Sequence, residues 1–223
     1  MKRTKLSDRL LPVYSKAEET MNTVTHIVGG GMAVVIAALC ILKALGHGSR
    51  LALAGCLIYG ISMILLYTMS SVYHGLGPGT AKKVMQVLDH CTIYLLIAGT
   101  YSAVLLAGIH RTDPGLCWGL FSLEWGLTAL AVTLTAIDLK KYRVFSMVCY
   151  IGMGWAILPF APQAMAALDG AGFGFLLAGG IAYTIGAVLY GLGKTKKWMH
   201  SVFHIFVVLG SALQFISIFF YTL

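Results

Sequence analysis

The sequence predicts an all-α integral membrane protein, a bundle of seven transmembrane helices with its N-terminus in the cytoplasm and its C-terminus outside. Three observations carry that prediction. The chain is 58% hydrophobic and 11% charged over 223 residues, with a mean hydropathy of +0.83. A soluble domain carries roughly 25% charged residues, and this much apolar surface cannot be hidden in one water-facing globule, so lipid is part of the solvent. The apolar residues gather into seven stretches, each near the ~20 residues a helix needs to cross the hydrocarbon core. Finally, lysine and arginine fall almost entirely on alternate breaks between those stretches.

In chain order, the stretches run over residues 21–45, 51–74, 88–109, 116–137, 144–162, 173–193 and 198–223. A basic tail, 1–20, precedes the first. Its charged lead and the full length of the span distinguish a retained helix from a signal peptide. Turn residues separate the spans: Gly46-His47-Gly48-Ser49, Gly77-Pro78-Gly79, Asp113-Pro114-Gly115 and Asp169-Gly170. The fifth span is the weakest, because Pro159 and Pro162 shorten or kink its end. Glycines inside spans, as at Gly29-Gly30-Gly31 and Gly179-Gly180, read as close helix packing. The length suits one domain, 21–223, with no room for a second.

Orientation follows from the cations. The tail holds Lys2, Arg3, Lys5, Arg9 and Lys16, and alternate loops hold Lys82 and Lys83, then Lys140, Lys141 and Arg143, then Lys194, Lys196 and Lys197. Thirteen of the 16 thus share one side, against Lys43, Arg50 and Arg111 on the other. Positive residues stay cytoplasmic during insertion. The net charge of +8 is therefore topological, with some attraction to anionic headgroups, and calls for no nucleic-acid partner. Cys40, Cys56, Cys91, Cys117 and Cys149 are scattered through the spans with no Cys-x-x-Cys, and read as small packing residues.

Ionisable groups within a span are expensive, which makes each a candidate for function. Here several gather at one depth. Span two ends inside at His74, span three begins there with Asp89 and His90, span seven with His200 and His204, and span one with Glu18, Asn22 and His26. His200 and His204 are four apart, so their side chains share a helix face. Two imidazoles so placed grip one metal ion, and His74 would add a third. Zinc favours nitrogen ligands, and three of them leave a fourth position open for water. Asp89, one short loop from His74, is placed to hydrogen-bond that water and accept its proton. Taken singly, His74 also reads as an interfacial residue and Asp89 as a helix N-cap.

The runs Ser70-Ser71-Val72-Tyr73-His74, Leu88-Asp89-His90 and His200-Ser201-Val202-Phe203-His204 resemble the signature of the haemolysin III family, the bacterial branch of the progestin and adipoQ receptors. Glu18-x-x-x-Asn22-x-x-x-His26 and Ile97-Ala98-Gly99-Thr100-Tyr101-Ser102 match its bacterial members as well. The resemblance covers nearly the whole chain. It implies a seven-helix fold shared with the alkaline ceramidases, and a zinc ion near the cytoplasmic face. His74, His200 and His204 would be the ligands, Asp89 would orient the zinc water, and Ser70 would be an accessory polar group.

The remaining polar residues have plainer readings. Glu18, Asn22 and His26 either support the metal ligands or cap and pack the first helix. His90 reads as interfacial, Glu124 as a residue that snorkels or pairs locally, and Asp138 as a loop salt bridge with Lys140 and Lys141. The four tryptophans suit interfacial or packing roles. The leading functional expectation is zinc-assisted hydrolysis of a lipid amide or ester, with Asp89 as base and Ser70 steadying the water or the oxyanion. A second is a lipid-responsive regulator of membrane composition with structural zinc. The third is a cytolytic, pore-forming haemolysin, which finds little support because no amphipathic segment suits a secreted toxin. In each case the partners are membrane lipids and the location is the bacterial inner membrane.

Overall fold

A computed structural model describes residues 4–223; Lys2 and Arg3 of the basic tail lie outside the described residues. Among the described residues the chain is helical with no strand. Helix α1, Lys16–Gly46, starts five residues before the apolar stretch does. Its start is fixed by a capping box: the Ser15 hydroxyl accepts from the Glu18 N–H while the Glu18 carboxylate accepts from the Ser15 N–H. Helix α2, Arg50–Gly75, is capped by Ser49. Helix α3, Thr80–Ala107, begins two turns before the apolar run, because its first turns bury Lys82 and Gln86 against neighbouring elements. Asp89 therefore sits well inside a helix and is not an N-cap.

Helix α4, Pro114–Asp138, opens on Asp113 as N-cap with proline in the first turn, where the missing N–H costs nothing. Helix α5, Arg143–Gly154, is short; a 3₁₀ turn, Leu158–Phe160, carries the chain past Pro159 into α6, Ala161–Leu192. Helix α6 is broken at Asp169, whose φ of 56° is left-handed, and the Asp169 carboxylate accepts from the Ala171 and Gly172 N–H groups to cap the second half. Helix α7, Met199–Ile216, ends in a π turn, Ser217–Thr222. Among the described residues, six helical stretches are long and apolar enough to cross a membrane, with α5 and α6 counted as one 50-residue stretch.

The most buried of these is α3. It meets α2 so closely at Gly55 that an added Cβ would lie 2.7 Å from the Ser102 carbonyl oxygen, which is why no side chain fits there. Val24, Ile27, Val28, Val34 and Val35 on the outer face of α1 are exposed, as lipid-facing positions are. At the end of the bundle away from the histidines, Arg111 donates to the Thr222 carbonyl at 2.5 Å and Lys43 to the Phe219 carbonyl, pinning the C-terminal turn. All five cysteines are free, in line with packing roles.

Two expectations for polar residues are corrected. Asp138 makes no salt bridge with Lys140 or Lys141 among the described residues; its carboxylate accepts from the backbone N–H of Thr4 and of Lys141, because the N-terminal segment folds back across the end of α4. Glu124 neither snorkels nor pairs: it is 0% exposed, packed inside the bundle with both carboxylate oxygens lacking a hydrogen-bond partner.

Candidate metal centre

Helices α1, α2, α3 and α7 meet near one end of the bundle, and local sequence decides how each is held there. Helix α7 starts from Trp198, whose φ of 66° is left-handed, a conformation costing a non-glycine residue roughly 1–2 kcal/mol. The Trp198 N–H donates to the Glu18 carboxylate at 2.7 Å. Glu18 thus ties the first turn of α1 to the first turn of α7, and its role is to place α7, not to touch a histidine.

In the first turn of α7, His200 Nε2 lies 3.1 Å from His204 Nε2 and 3.3 Å from His74 Nε2 of α2. All three residues are buried, and the three offer ligand atoms within 4.8 Å of one another. The proton count at this point is informative. His74 Nδ1 faces the Glu19 carboxylate at 2.6 Å. An ionised carboxylate only accepts, so Nδ1 carries the proton and His74 Nε2 presents a lone pair to the cluster. A single N–H on His200 Nε2 cannot serve both of its neighbours. A cation between the three nitrogens serves all of them. Four-coordinate zinc with bonds of ~2.0–2.1 Å has ligand atoms about 3.3 Å apart, close to the two distances from His200 Nε2. The donor set fits a metal ion.

A second layer of hydrogen bonds orients the histidines. Glu19 is itself held by Lys82, whose ammonium lies 2.6 Å from its other oxygen and also donates to the Leu76 carbonyl. Ser201 donates to the Asn22 carbonyl oxygen at 2.7 Å and holds that side chain behind His74; the Asn22 amide nitrogen, 3.4 Å from His74 Nδ1, packs there without a hydrogen bond, because Nδ1–H is given to Glu19. Tyr14, just before α1, stacks on the His200 ring at 4.8 Å and covers the cluster from the side of the N-terminal segment. Burial, followed by the neighbouring Tyr190, Glu19, Asp89 and Glu18, pushes the Tyr14 phenol up, so it stays neutral.

On the other side the cluster opens into a cavity of about 190 Å³. Ser70, Asp89, His26, His200 and His204 lie on its wall. Its lining continues along α3 from Asp89 to Val104 and along α7 from His200 to Gln214, a run of about 21 Å on each helix at ~1.5 Å per residue, and is mostly apolar. His90 also lines this wall: its ring contacts the Gln86 carbonyl at 2.8 Å and the Tyr190 hydroxyl at 3.2 Å, because α3 begins early enough to bring it against α6. The structure thus gathers His74, His200 and His204, with Asp89, Ser70 and His26 around a shared space and Asn22 behind His74.

With this geometry in view, comparison with known proteins gives a consistent result. Residues 14–215 match the family described as "Haemolysin-III related". The chain belongs to that family. Among its relatives is the "Hemolysin-3" of Bacillus cereus, 36% identical over 206 residues, which cover 92% of this chain and 92% of the relative. The "Hemolysin-3 homolog" of Bacillus subtilis (strain 168) is 32% identical over 209 residues, covering 94% of this chain and 96% of its own. More distant is the human "Monocyte to macrophage differentiation factor", 24% identical over 169 residues, covering 72% and 67% respectively. The resemblance drawn from the three polar motifs holds, and the matched region of this haemolysin-III-related chain takes in every residue of the cluster.

Glu19 is the site residue that helix spacing alone did not pick out. Four-residue steps back from His26 and Asn22 land on Glu18, whereas Asn22 and Glu19 are related by a three-residue step, which shares a helix face equally well. Its buried contact with His74 was not visible without the packing of α1 on α2. Replacing a carboxylate that orients a metal-binding histidine typically costs 10- to 100-fold in metal affinity. Glu19→Gln should therefore weaken zinc binding about 10- to 100-fold in a chelator competition titration, whereas Glu18→Gln, one position away, should leave it within a few fold. Equal losses in both would show that α1 acts only through its packing.

Proposed function

We propose that this chain crosses the bacterial inner membrane seven times, N-terminus inside, and uses zinc held by His74, His200 and His204 to hydrolyse an amide or ester bond of a membrane lipid. The observation that carries this reading is the convergence of three imidazole nitrogens, 3.1 and 3.3 Å apart in sequence around the cluster, at the end of a long apolar cavity that also displays Asp89. Zinc would supply a Lewis acid that polarises the scissile carbonyl and lowers the pKa of water toward ~7. Asp89 takes the proton from the attacking water, and Ser70, one turn before His74 on the same face of α2, steadies the developing oxyanion. Glu19 holds His74 with its lone pair toward the centre, and the apolar lining receives the acyl chain and excludes bulk water.

Seven crossings account for the 50-residue stretch 143–192. At ~1.5 Å per residue it runs about 75 Å, more than twice the ~30 Å hydrocarbon core, and the break at Asp169 supplies the point of reversal. The distribution of lysine and arginine sets the orientation. A reporter active only outside the cytoplasm should work when fused after Leu223 and fail when inserted after Lys141; the reverse pair of results overturns the orientation.

A regulator with structural zinc is the second reading, favoured by one observation: the three histidines come from two helices, so an ion there ties α2 to α7. The cytolytic reading rests on the names of the two Bacillus relatives. The hydrolase reading is tested by fatty-acid release from ceramide-like and phospholipid substrates in reconstituted membranes, with zinc quantified in the same samples. No release across a broad panel by fully metallated protein would leave the regulator reading.

A further inference from the structure

His26 is the one residue of the cluster without a job in the chemistry so far. Its side chain is buried, it lies on the cavity wall, and neither ring nitrogen has a hydrogen-bond partner. Its ring sits 3.8 Å from that of His204, centroid to centroid, tilted by 34°. On its other side Tyr67 presents an edge at 5.1 Å, with its hydroxyl committed to Ser211 at 2.8 Å and so turned to another task. Tyr67 is in turn wedged against α1 at Gly29, where an added Cβ would come within 2.5 Å of the ring. The imidazole is therefore held firmly in place by its neighbours.

His204 contributes a third orphan. Its Nε2 faces His200, while its Nδ1 is buried with no partner. Two adjacent imidazoles thus present three unpaired nitrogens within one small region. Leaving even one buried polar group unsatisfied is costly, and native structures rarely do it. An apolar side chain would fill the same space without that cost. The arrangement makes sense when something polar occupies the cavity beside these rings.

We propose that His26, together with His204 Nδ1, forms a subsite that hydrogen-bonds a polar oxygen of a lipid lying in the cavity. The ligand class is an acyl lipid whose head places a carbonyl or hydroxyl oxygen next to the metal position, with its chain along the apolar lining. His26 is then a substrate-contacting residue, distinct from the three ligands and from Asp89, and neutral imidazole serves as donor through one nitrogen and acceptor through the other. This rests on the lipid-hydrolase reading for its ligand, but binding can be read without turnover.

The experiment uses the full-length, zinc-loaded protein in detergent and a long-chain alkyl hydroxamic acid as probe, with zinc content and probe affinity measured on the same preparations. His26→Phe keeps an aromatic ring but removes both nitrogens; His26→Gln keeps a donor and an acceptor. The expected result is unchanged zinc in both, an affinity about 10- to 100-fold weaker for His26→Phe, as for leaving a buried polar oxygen without its partner, and a loss of only a few fold for His26→Gln. Equal affinity in wild type and His26→Phe at equal zinc overturns the subsite and leaves His26 as packing. Loss of zinc in both variants, with the folded elution profile retained, also overturns it, since His26 would then hold the metal. Absence of probe binding to the wild type overturns it as well. His26-dependent binding by a protein that cleaves no lipid sinks the hydrolase reading and leaves the subsite standing.

Discussion

The wild type should purify with about one zinc per chain and the His200→Ala, His204→Ala double variant with almost none. Both nitrogens lie within 3.3 Å of a neighbouring ligand nitrogen, so their removal leaves His74 alone, and one imidazole does not retain zinc through purification. Because an ion held by these histidines would tie α2 to α7, the variant should also melt earlier. A ligand present at 100 times its dissociation constant stabilises by about 2.7 kcal/mol, which for a chain of this size corresponds to roughly 5–10 °C. Chelator-treated wild type should fall to the melting temperature of the variant, and chelator should not shift the variant further. Unchanged zinc in the double variant would rule the site out, whatever the melting temperatures.

How much of this was legible in the sequence depends on which physical signal each feature leaves. The long apolar helices were visible because lipid demands long apolar runs, and the histidine cluster because four-residue spacing places two imidazoles on one face. The start of α3 was not, because Lys82 and Gln86 read as loop residues by hydropathy while the fold buries both. That early start carried Asp89 and His90 two turns further into the bundle than the apolar run implied. Glu18 and Glu19 show the limit of periodicity: adjacent carboxylates on one helix face opposite elements, and only the packing of α1 on α2 and α7 decides which one meets His74 and which one meets Trp198. The break at Asp169 was visible as Asp-Gly punctuation, whereas the burial of Glu124 left no local trace, since a lone carboxylate in an apolar run looks the same whether it faces lipid, water or protein.

The substitution that separates enzyme from structural metal protein is Asp89→Asn. Asp89 lies on the cavity wall with Ser70, His200 and His204, and is not among the three nitrogen donors. Asparagine keeps the volume and can accept a hydrogen bond, so fold and zinc content should both stay close to wild type. What it cannot do is take up a proton. General-base catalysis contributes about 10²–10⁴-fold, and turnover of whichever lipid the wild type cleaves should fall by about that factor, in kcat more than in KM. Ser70→Ala offers the contrast: it removes a hydroxyl that steadies the oxyanion without accepting the proton, so its loss should be smaller, about 10- to 100-fold, the scale of one hydrogen bond to a charged group. A structural-zinc protein predicts a different pattern, with no turnover in the wild type and an Asp89→Asn phenotype that tracks metal loss or misfolding. Turnover abolished by Asp89→Asn at full zinc occupancy, with Ser70→Ala only weakened, is a result that a structural ion has no way to produce.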